Sequence, residues 1–234
     1  SKISLDYFNS QFSKFKINVR PKLINTGYIK LDHIRKKIKI SKKNKKEKYI
    51  LIAPGYSYAF KQYNMYQNIE KIIEKILIQT SEKIIYRPHP LDLTFKGDIK
   101  IITKIINKFK NNKNFSFDFS TSYLKSFINS KLLVTDLSST AYTYSFATER
   151  PVIFFSKNEK KLKKDYFSKL NYFKDRNKIG LVSENTNDLI KILKNKTITN
   201  SNIQKNIINL RKNRIEFFES AVKRTASEIN NIRK

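Results

Sequence analysis

The chain has 234 residues, of which 39% are hydrophobic, and carries 49 Lys plus Arg against 19 Asp plus Glu, a formal net charge of +30; this is enough apolar material for a packed core. The lack of cysteine excludes disulfides, thiolate metal ligands and cysteine nucleophiles, and His33 and His89, the only histidines, leave no material for a His-rich zinc site. There is no uncharged apolar run of about 18 residues and no basic-then-apolar start at Ser1-Lys2-Ile3-Ser4, so the sequence predicts neither a membrane span nor a signal peptide, and it fits a reducing cytoplasm.

In chain order, Leu23-Ile24-Asn25-Thr26-Gly27 reads as an apolar strand closed by glycine, and the lysine-dense stretch from Arg35 to Lys48 as a solvated helix end and linker. Tyr49-Ile50-Leu51-Ile52-Ala53, stopped by Pro54-Gly55, has the continuous apolar character of a strand buried on both faces of a parallel sheet. Ile69, Ile72, Ile73, Ile76 and Leu77 recur at helical spacing, and Ile84-Ile85-Tyr86 is a short strand closed by Arg87-Pro88-His89-Pro90. The alternation continues with a helix over 101–109, a strand over 115–117, a helix over 122–128 and a strand over 132–134. A helix from about Ser138, strands over 152–155 and 179–182, and helices from Thr186 complete it. From Asn202 to Lys234 one or two amphipathic helices are expected, with Ile207, Ile208, Leu210, Ile215, Phe217, Phe218 and Val222 as packing residues. Strands separated by helices imply right-handed crossovers, so the expected class is α/β, a doubly wound, Rossmann-like parallel sheet with C-terminal helices.

In such a sheet, ligands sit at the carboxyl ends of the strands, which directs attention to four corners: 27–32, 54–58, 87–90 and 136–140. Asp136-Leu137-Ser138-Ser139-Thr140 follows an apolar strand and opens a helix, so hydroxyls and unpaired backbone N–H groups converge where an anion could be held. An ordinary helix N-cap reads the same way. In Arg87-Pro88-His89-Pro90, two prolines fix a loop that delivers a permanent cation and a titratable imidazole to a strand end, which suits a diphosphate leaving group; a simple turn with a packed histidine is the alternative.

Taken together, Tyr86-Arg87-Pro88-His89-Pro90, Leu133-Val134-Thr135-Asp136-Leu137-Ser138-Ser139 and Arg150-Pro151-Val152-Ile153-Phe154-Phe155 resemble the motifs of the CDP-glycerol glycerophosphotransferase family, whose members build teichoic-acid-type polymers. Thr26-Gly27-Tyr28-Ile29-Lys30-Leu31-Asp32 is similar to that family's Gly-Tyr-Pro-Arg-x-Asp segment, and Ile50-Leu51-Ile52-Ala53-Pro54 to its Tyr-Ala-Pro-Thr strand. The resemblance spans residues 23–155 and implies the C-terminal, donor-binding half of a GT-B fold. On that basis residues 1–34 are expected to be a remnant of an N-terminal domain and interdomain connection, 35–48 a basic linker, and 49–234 the nucleotide-donor-binding domain.

Group transfer from a nucleoside diphosphate needs the departing phosphate neutralised, which helix N-termini and Arg or His can do without a metal. The expected catalytic residues are therefore His89 and Arg87 on the diphosphate. Pro54, Asp136, Ser138, Ser139 and Thr140 are expected around the nucleotide and its phosphates, with Asp136 orienting its loop and Glu149 a candidate for a ribose hydroxyl. No metal or cofactor is expected, the nucleotide-activated donor such as CDP-glycerol being a substrate. The acceptor would be lipid-linked or a glycan. A UDP- or CMP-sugar transferase is the second enzyme reading. A basic module binding nucleic acid or anionic polymer is the third, with Tyr56, Tyr58, Phe60, Tyr63 and Tyr66 interleaved among lysines. The net charge itself is also what a Lys-, Ile- and Asn-rich, A- and T-biased composition yields; among partners an anionic membrane surface ranks ahead of nucleic acid, which places the chain peripherally at the inner face of the cell membrane.

Overall fold

The computed structural model describes residues 2–15, 21–41, 48–94, 99–167, 171–195, 198 and 201–232, with the side chains of 2–7, 166, 167 and 171 left aside. Six parallel strands form one sheet: β1 (Tyr49–Ile52), β2 (Lys83–Tyr86), β3 (Phe115–Phe117), β4 (Ser130–Thr135), β5 (Val152–Phe155) and β6 (Gly180–Ser183), in the order β3-β2-β1-β4-β5-β6. This is the doubly wound Rossmann order, in which the winding direction reverses between β1 and β4. The strands are short and rich in Ile, Val, Leu and Phe because both of their faces are covered.

The helices are α1 (Lys2–Lys14), α2 (Ile29–Ser41), α3 (Ile69–Gln79), α4 (Ile99–Phe109), α5 (Leu124–Asn129), α6 (Thr140–Thr148), α7 (Glu159–Leu162), α8 (Asn171–Ile179), α9 (Thr186–Lys194), α10 (Ser201–Arg214) and α11 (Ala221–Ile232). Alternate strand residues divide the core in two. Ile50, Ile52, Ile84, Tyr86, Leu132 and Val134 face α3, α4 and α9, where Ile69, Ile72, Ile73, Ile76 and Ile105 complete one layer. Leu51, Ala53, Ile85, Leu133, Val152 and Phe154 face α2, α5, α6 and α10, where Leu31, Ile34, Ile38, Tyr144 and Leu210 complete the other. Each fully buried aliphatic side chain contributes about 1.5–3 kcal/mol, so both layers are needed to hold the sheet flat between them.

Two segments depart from the sequence reading. Leu23 to Gly27 forms no strand; it runs beside the α10–α11 junction, where the Asn25 amide bonds the Glu216 carboxylate and Gly27 takes a φ of +88° with its α-carbon against the Glu216 carbonyl. A residue with a β-carbon would be strained there and would meet that carbonyl at 2.8 Å. The stretch beginning at Arg35 is not solvated at its start, since 35–41 completes α2 and buries Arg35 and Ile38 on the α6 face; residues 42–47 lie outside the described residues. Of the expected C-terminal packing residues, Ile207 and Leu210 are buried, while Phe217 and Val222 are 40% and 57% exposed.

Candidate functional site

The carboxyl ends of β1, β2 and β4 adjoin at the point where the strand order reverses, and three loops leave the sheet there. The first, Gly55 to Asn64 after β1, is held from outside by two buried carboxylates. Asp136, at the end of β4, accepts the Gly55 N–H at 2.7 Å and the Met65 N–H at 2.9 Å. Asp92, fully buried after β2, accepts the Ser57 hydroxyl at 2.6 Å and the Ser57 N–H at 3.2 Å. Burial pushes the Asp136 carboxyl above its ordinary value, against the opposing pull of the N–H groups of Met65, Gly55 and Leu137. Asp136 therefore orients loops and does not face outward as a base. Pro54 is buried at the root of the same loop.

The second loop carries His89. Its Nδ1 accepts the Leu91 N–H at 3.2 Å, so the neutral ring holds its proton on Nε2. Burial lowers the His89 pKa from 6.5, with the nearby Asp92 and Asp136 charges opposing. Its ring lies 5.7 Å from that of Tyr56, which in turn lies 5.7 Å from Tyr58, and Lys61 Nζ sits 4.3 Å from the Tyr58 ring centre. The imidazole thus sits under an aromatic and cationic wall built by the β1 loop.

The third loop is Asp136 to Thr140. Ser138 is buried, with its hydroxyl accepting the Thr140 N–H at 3.3 Å; Ser139 is the N-cap of α6, exposed and making no side-chain cap hydrogen bond, and Thr140 opens the helix. The Tyr172 hydroxyl donates to the carbonyls of Ser138 at 3.1 Å and Asp136 at 3.3 Å, fixing the turn from the α8 side. The Thr140 N–H is thus taken by the Ser138 hydroxyl and the Ala141 N–H by the Ser138 carbonyl, so what this helix start offers an anion is the exposed Ser139 and the positive end of the helix dipole.

Two residues expected here are placed otherwise. Arg87 Nη1 donates to Asp118 Oδ2 at 2.7 Å and to the Ser120 hydroxyl at 3.3 Å, and its Nη2 donates to the Ser120 carbonyl at 2.7 Å. The buried guanidinium thereby ties the β2 loop to the loop after β3, and its charge is already met by a carboxylate. Glu149 does not join the strand-end cluster: it terminates α6, at the far end of that helix from Ser139, in a left-handed conformation with φ of 61°. There its Oε1 accepts from Arg35 Nη2 at 2.5 Å and Arg211 Nη2 at 2.9 Å. Sequence reasoning missed Asp92, Ser57 and Asp118. Asp92 carried a readable signal, an acidic residue two positions past the Pro-His-Pro turn, and Ser57 lay within the 54–58 corner; Asp118 carried none. Asp32 is another structural carboxylate, accepting the N–H groups of Glu219 at 2.8 Å and Ala221 at 2.9 Å and so capping α11 on α2. Among the described residues no cluster of His, Asp and Glu is arranged to hold a metal ion, and no helix is long and apolar enough to cross a membrane.

Comparison with known proteins adds to this geometry. The family model described as CDP-glycerol:poly(glycerophosphate) glycerophosphotransferase matches residues 20–229. The minor teichoic acid biosynthesis protein GgaB of Bacillus subtilis (strain 168) is 32% identical over 133 residues, covering 56% of this chain and 13% of GgaB. The structure of the wall teichoic acid polymerase TagF aligns with a TM-score of 0.52 at 18% identity, over 86% of this chain and 46% of that one. A variant of the same polymerase aligns with a TM-score of 0.55 at 20% identity, over 87% and 50%. At these identities the likeness to TagF is one of fold. The chain spans half or less of the length of each of these relatives.

Proposed function

The chain belongs to the CDP-glycerol:poly(glycerophosphate) glycerophosphotransferase family, and from that premise we propose that residues 49–234 bind a CDP-linked polyol phosphate, such as CDP-glycerol, for transfer of the polyol phosphate to a surface-glycan acceptor. The observation that carries the proposal is the meeting of His89, the Tyr56–Tyr58 wall and the Ser138–Thr140 helix start at the reversal point of the sheet. There the diphosphate lies over the N-terminus of α6. The Ser139 and Thr140 hydroxyls donate to it, and His89 donates from Nε2 to an oxygen that gains charge as the phosphoanhydride bond between the polyol phosphate and the leaving CMP breaks. In this reading Arg87 is a positioning residue that holds the loop bearing His89, and Asp136 and Asp92 hold the opposite wall. The family-model match favours this donor class over the UDP- and CMP-sugar alternatives.

Transfer also requires the reacting end of an acceptor held in line with the donor, and in this reading that end is held by a second unit facing the donor site. The 234-residue chain is therefore expected to bind CDP-glycerol and to leave an acceptor unextended. Calorimetry with CDP, CDP-glycerol and UDP, together with a transfer assay using labelled CDP-glycerol and a lipid-linked acceptor, tests both parts. No binding of any of the three nucleotides removes the donor site, and polymer extension by this chain alone shows that the acceptor cleft lies within it.

A further inference from the structure

The carboxyl edge of the sheet extends beyond the donor cluster to β5 and β6, where a cavity of about 470 Å³ is lined by four lysines, Lys157, Lys160, Lys161 and Lys164, together with Asn158, Glu159 and Glu184. We propose that this cavity is the acceptor subsite, binding the phosphodiester backbone of an anionic polyol-phosphate polymer as it approaches the donor; the inference rests on the transferase reading for its direction but not for its test.

Five lysines fall between positions 157 and 164, on α7 and the turns at either side of it; all five are exposed, and all but Lys163 line the cavity. The acidic residue within the run is already paired: Glu159 is buried against Arg176, which lies between the rings of Phe154 and Phe173, 5.3 Å from each ring centre, and its Oε1 also lies 3.7 Å from Lys163 Nζ. Pairing that carboxylate leaves the outward face of the run cationic, with Glu184 as the other acidic residue on the cavity wall. Among the described residues Lys157, Lys160 and Lys164 enter no ion pair. Long flexible ammonium side chains that are not spent on carboxylates are the groups that contact a phosphate backbone without regard to the rest of the polymer.

The cavity is also joined to the donor wall. Asn158 Nδ2 donates to the Gln62 carbonyl at 3.1 Å, and Lys161 Nζ donates to Gln62 Oε1 at 3.4 Å. Gln62 belongs to the loop that carries Tyr56, Tyr58 and Lys61 over His89, so a bound polyanion would lie against the outer side of the loop whose inner side faces the donor. An open cationic groove joined to the donor wall fits a polymer segment on its way to that wall.

The test uses the full 234-residue chain and poly(glycerol phosphate) of defined length, with no nucleotide present. Replacing all four lysines (Lys157→Gln, Lys160→Gln, Lys161→Gln and Lys164→Gln) should weaken polymer binding roughly tenfold at low salt, a loss of charge contacts. It should also flatten the dependence of log affinity on log salt by about one per lysine that contacts a phosphate. A charge-matched control replaces Lys48, Lys110, Lys113 and Lys194, exposed positions at the amino ends of the strands, and should keep its polymer affinity. CDP-glycerol affinity, measured on a triple variant that keeps Lys161 and its bond to Gln62, should be unchanged. Equal losses in the two quadruple variants, or none in the first, overturn the proposal. So does loss of binding to anionic phospholipid vesicles with polymer binding intact, which would assign the lysines to a membrane. A chain that binds polymer through these lysines but binds no CDP-glycerol would retain the subsite and reject the donor reading.

Discussion

The Asp136 carboxylate accepts the Gly55 N–H at 2.7 Å, so the end of β4 holds the loop that leaves β1 across the very gap where the sheet reverses its winding. The contact is close enough that a β-carbon on Gly55 would lie 2.9 Å from Asp136 Oδ1. Together with the bond to Met65 N–H at 2.9 Å, one buried carboxylate fixes both the start and the end of the Tyr56–Tyr58 wall.

Asp136→Asn should therefore act on both stability and donor binding. An amide offers one acceptor oxygen and turns an NH2 group toward a backbone N–H, leaving one buried donor without a partner. The expected loss is about 1–3 kcal/mol of unfolding free energy, with weaker CDP binding because the wall moves. Gly55→Ala should weaken CDP binding in the same direction by pushing the carboxylate aside. Denaturant unfolding and calorimetry check these together, and wild-type CDP affinity in both variants would remove the loop from the donor site.

For Arg87 the geometry predicts an effect on folding first. Its guanidinium bonds Asp118 and Ser120 at 2.7 Å each. Asp118 is itself held in its ionised form: burial raises its carboxyl, but hydrogen bonds from Ser120 and Ser126 and the Arg87 charge bring it below its ordinary value. Arg87→Ala should cost about 1.5–3 kcal/mol of stability, the range for a hydrogen bond to a charged group. In a double-mutant cycle with Asp118→Asn the two losses should be less than additive. Additive losses would show that the pair does not act as one unit.

Glu149 gives the opposite separation, between stability and binding. It joins α2, α6 and α10 through Arg35 and Arg211, which also donate to the Ala147 and Phe146 carbonyls at the end of α6. Burial by itself would raise its carboxyl; the hydrogen bonds and charges of Arg211 and Arg35 outweigh this and hold it below 4.5. A depressed carboxylate contributes stability that is complete above the unfolded value of 4.5 and is lost as pH falls through the folded value. Glu149→Gln should thus destabilise by about 1–3 kcal/mol near neutrality, converge on the wild type in acid, and leave CDP affinity alone. A drop in CDP affinity with unchanged unfolding would instead return Glu149 to the nucleotide.

The contrast between Ser139 and Glu149 shows what the sequence could convey. Continuous apolar runs ended by Pro54-Gly55, Pro88-His89 or Asp136 identify buried parallel strands and their carboxyl ends, and position along the chain is enough to bring 54–58, 87–90 and 136–140 to one edge. Side-chain direction is not carried by that pattern. Arg87 is at the right edge but pairs with Asp118, thirty-one positions away, and Glu149 is one helix length from Ser139 and so at the opposite edge. Leu23 to Gly27 reads as a strand from its apolar residues, but Leu23 and Ile24 are only half-buried and the segment is held at the α10–α11 junction by Asn25 and Gly27, a long-range contact that local periodicity cannot report.

The last prediction concerns protonation of His89. Burial lowers its pKa below 6.5, with Asp92 and Asp136 pulling the other way, and the Leu91 N–H occupies Nδ1. Protonation would place a hydrogen on Nδ1 facing that donor, so the free protein favours the neutral ring with Nε2 as its one donor. By linkage, this contribution to stability is complete above 6.5 and is lost as pH falls through the folded value. A diphosphate beside Nε2 favours the imidazolium, so saturating CDP should move the His89 titration upward, and CDP should bind more tightly as the pH is lowered toward it. His89→Ala should weaken CDP binding by about 1.5–3 kcal/mol. His89→Gln, which can offer an N–H from a similar position, should recover part of that affinity but show no tightening over the same pH range. NMR titration of the two imidazoles reads this directly, with His33 on α2 as the internal reference that CDP should leave in place. A His89 signal that CDP does not shift puts the diphosphate elsewhere, however tightly CDP binds.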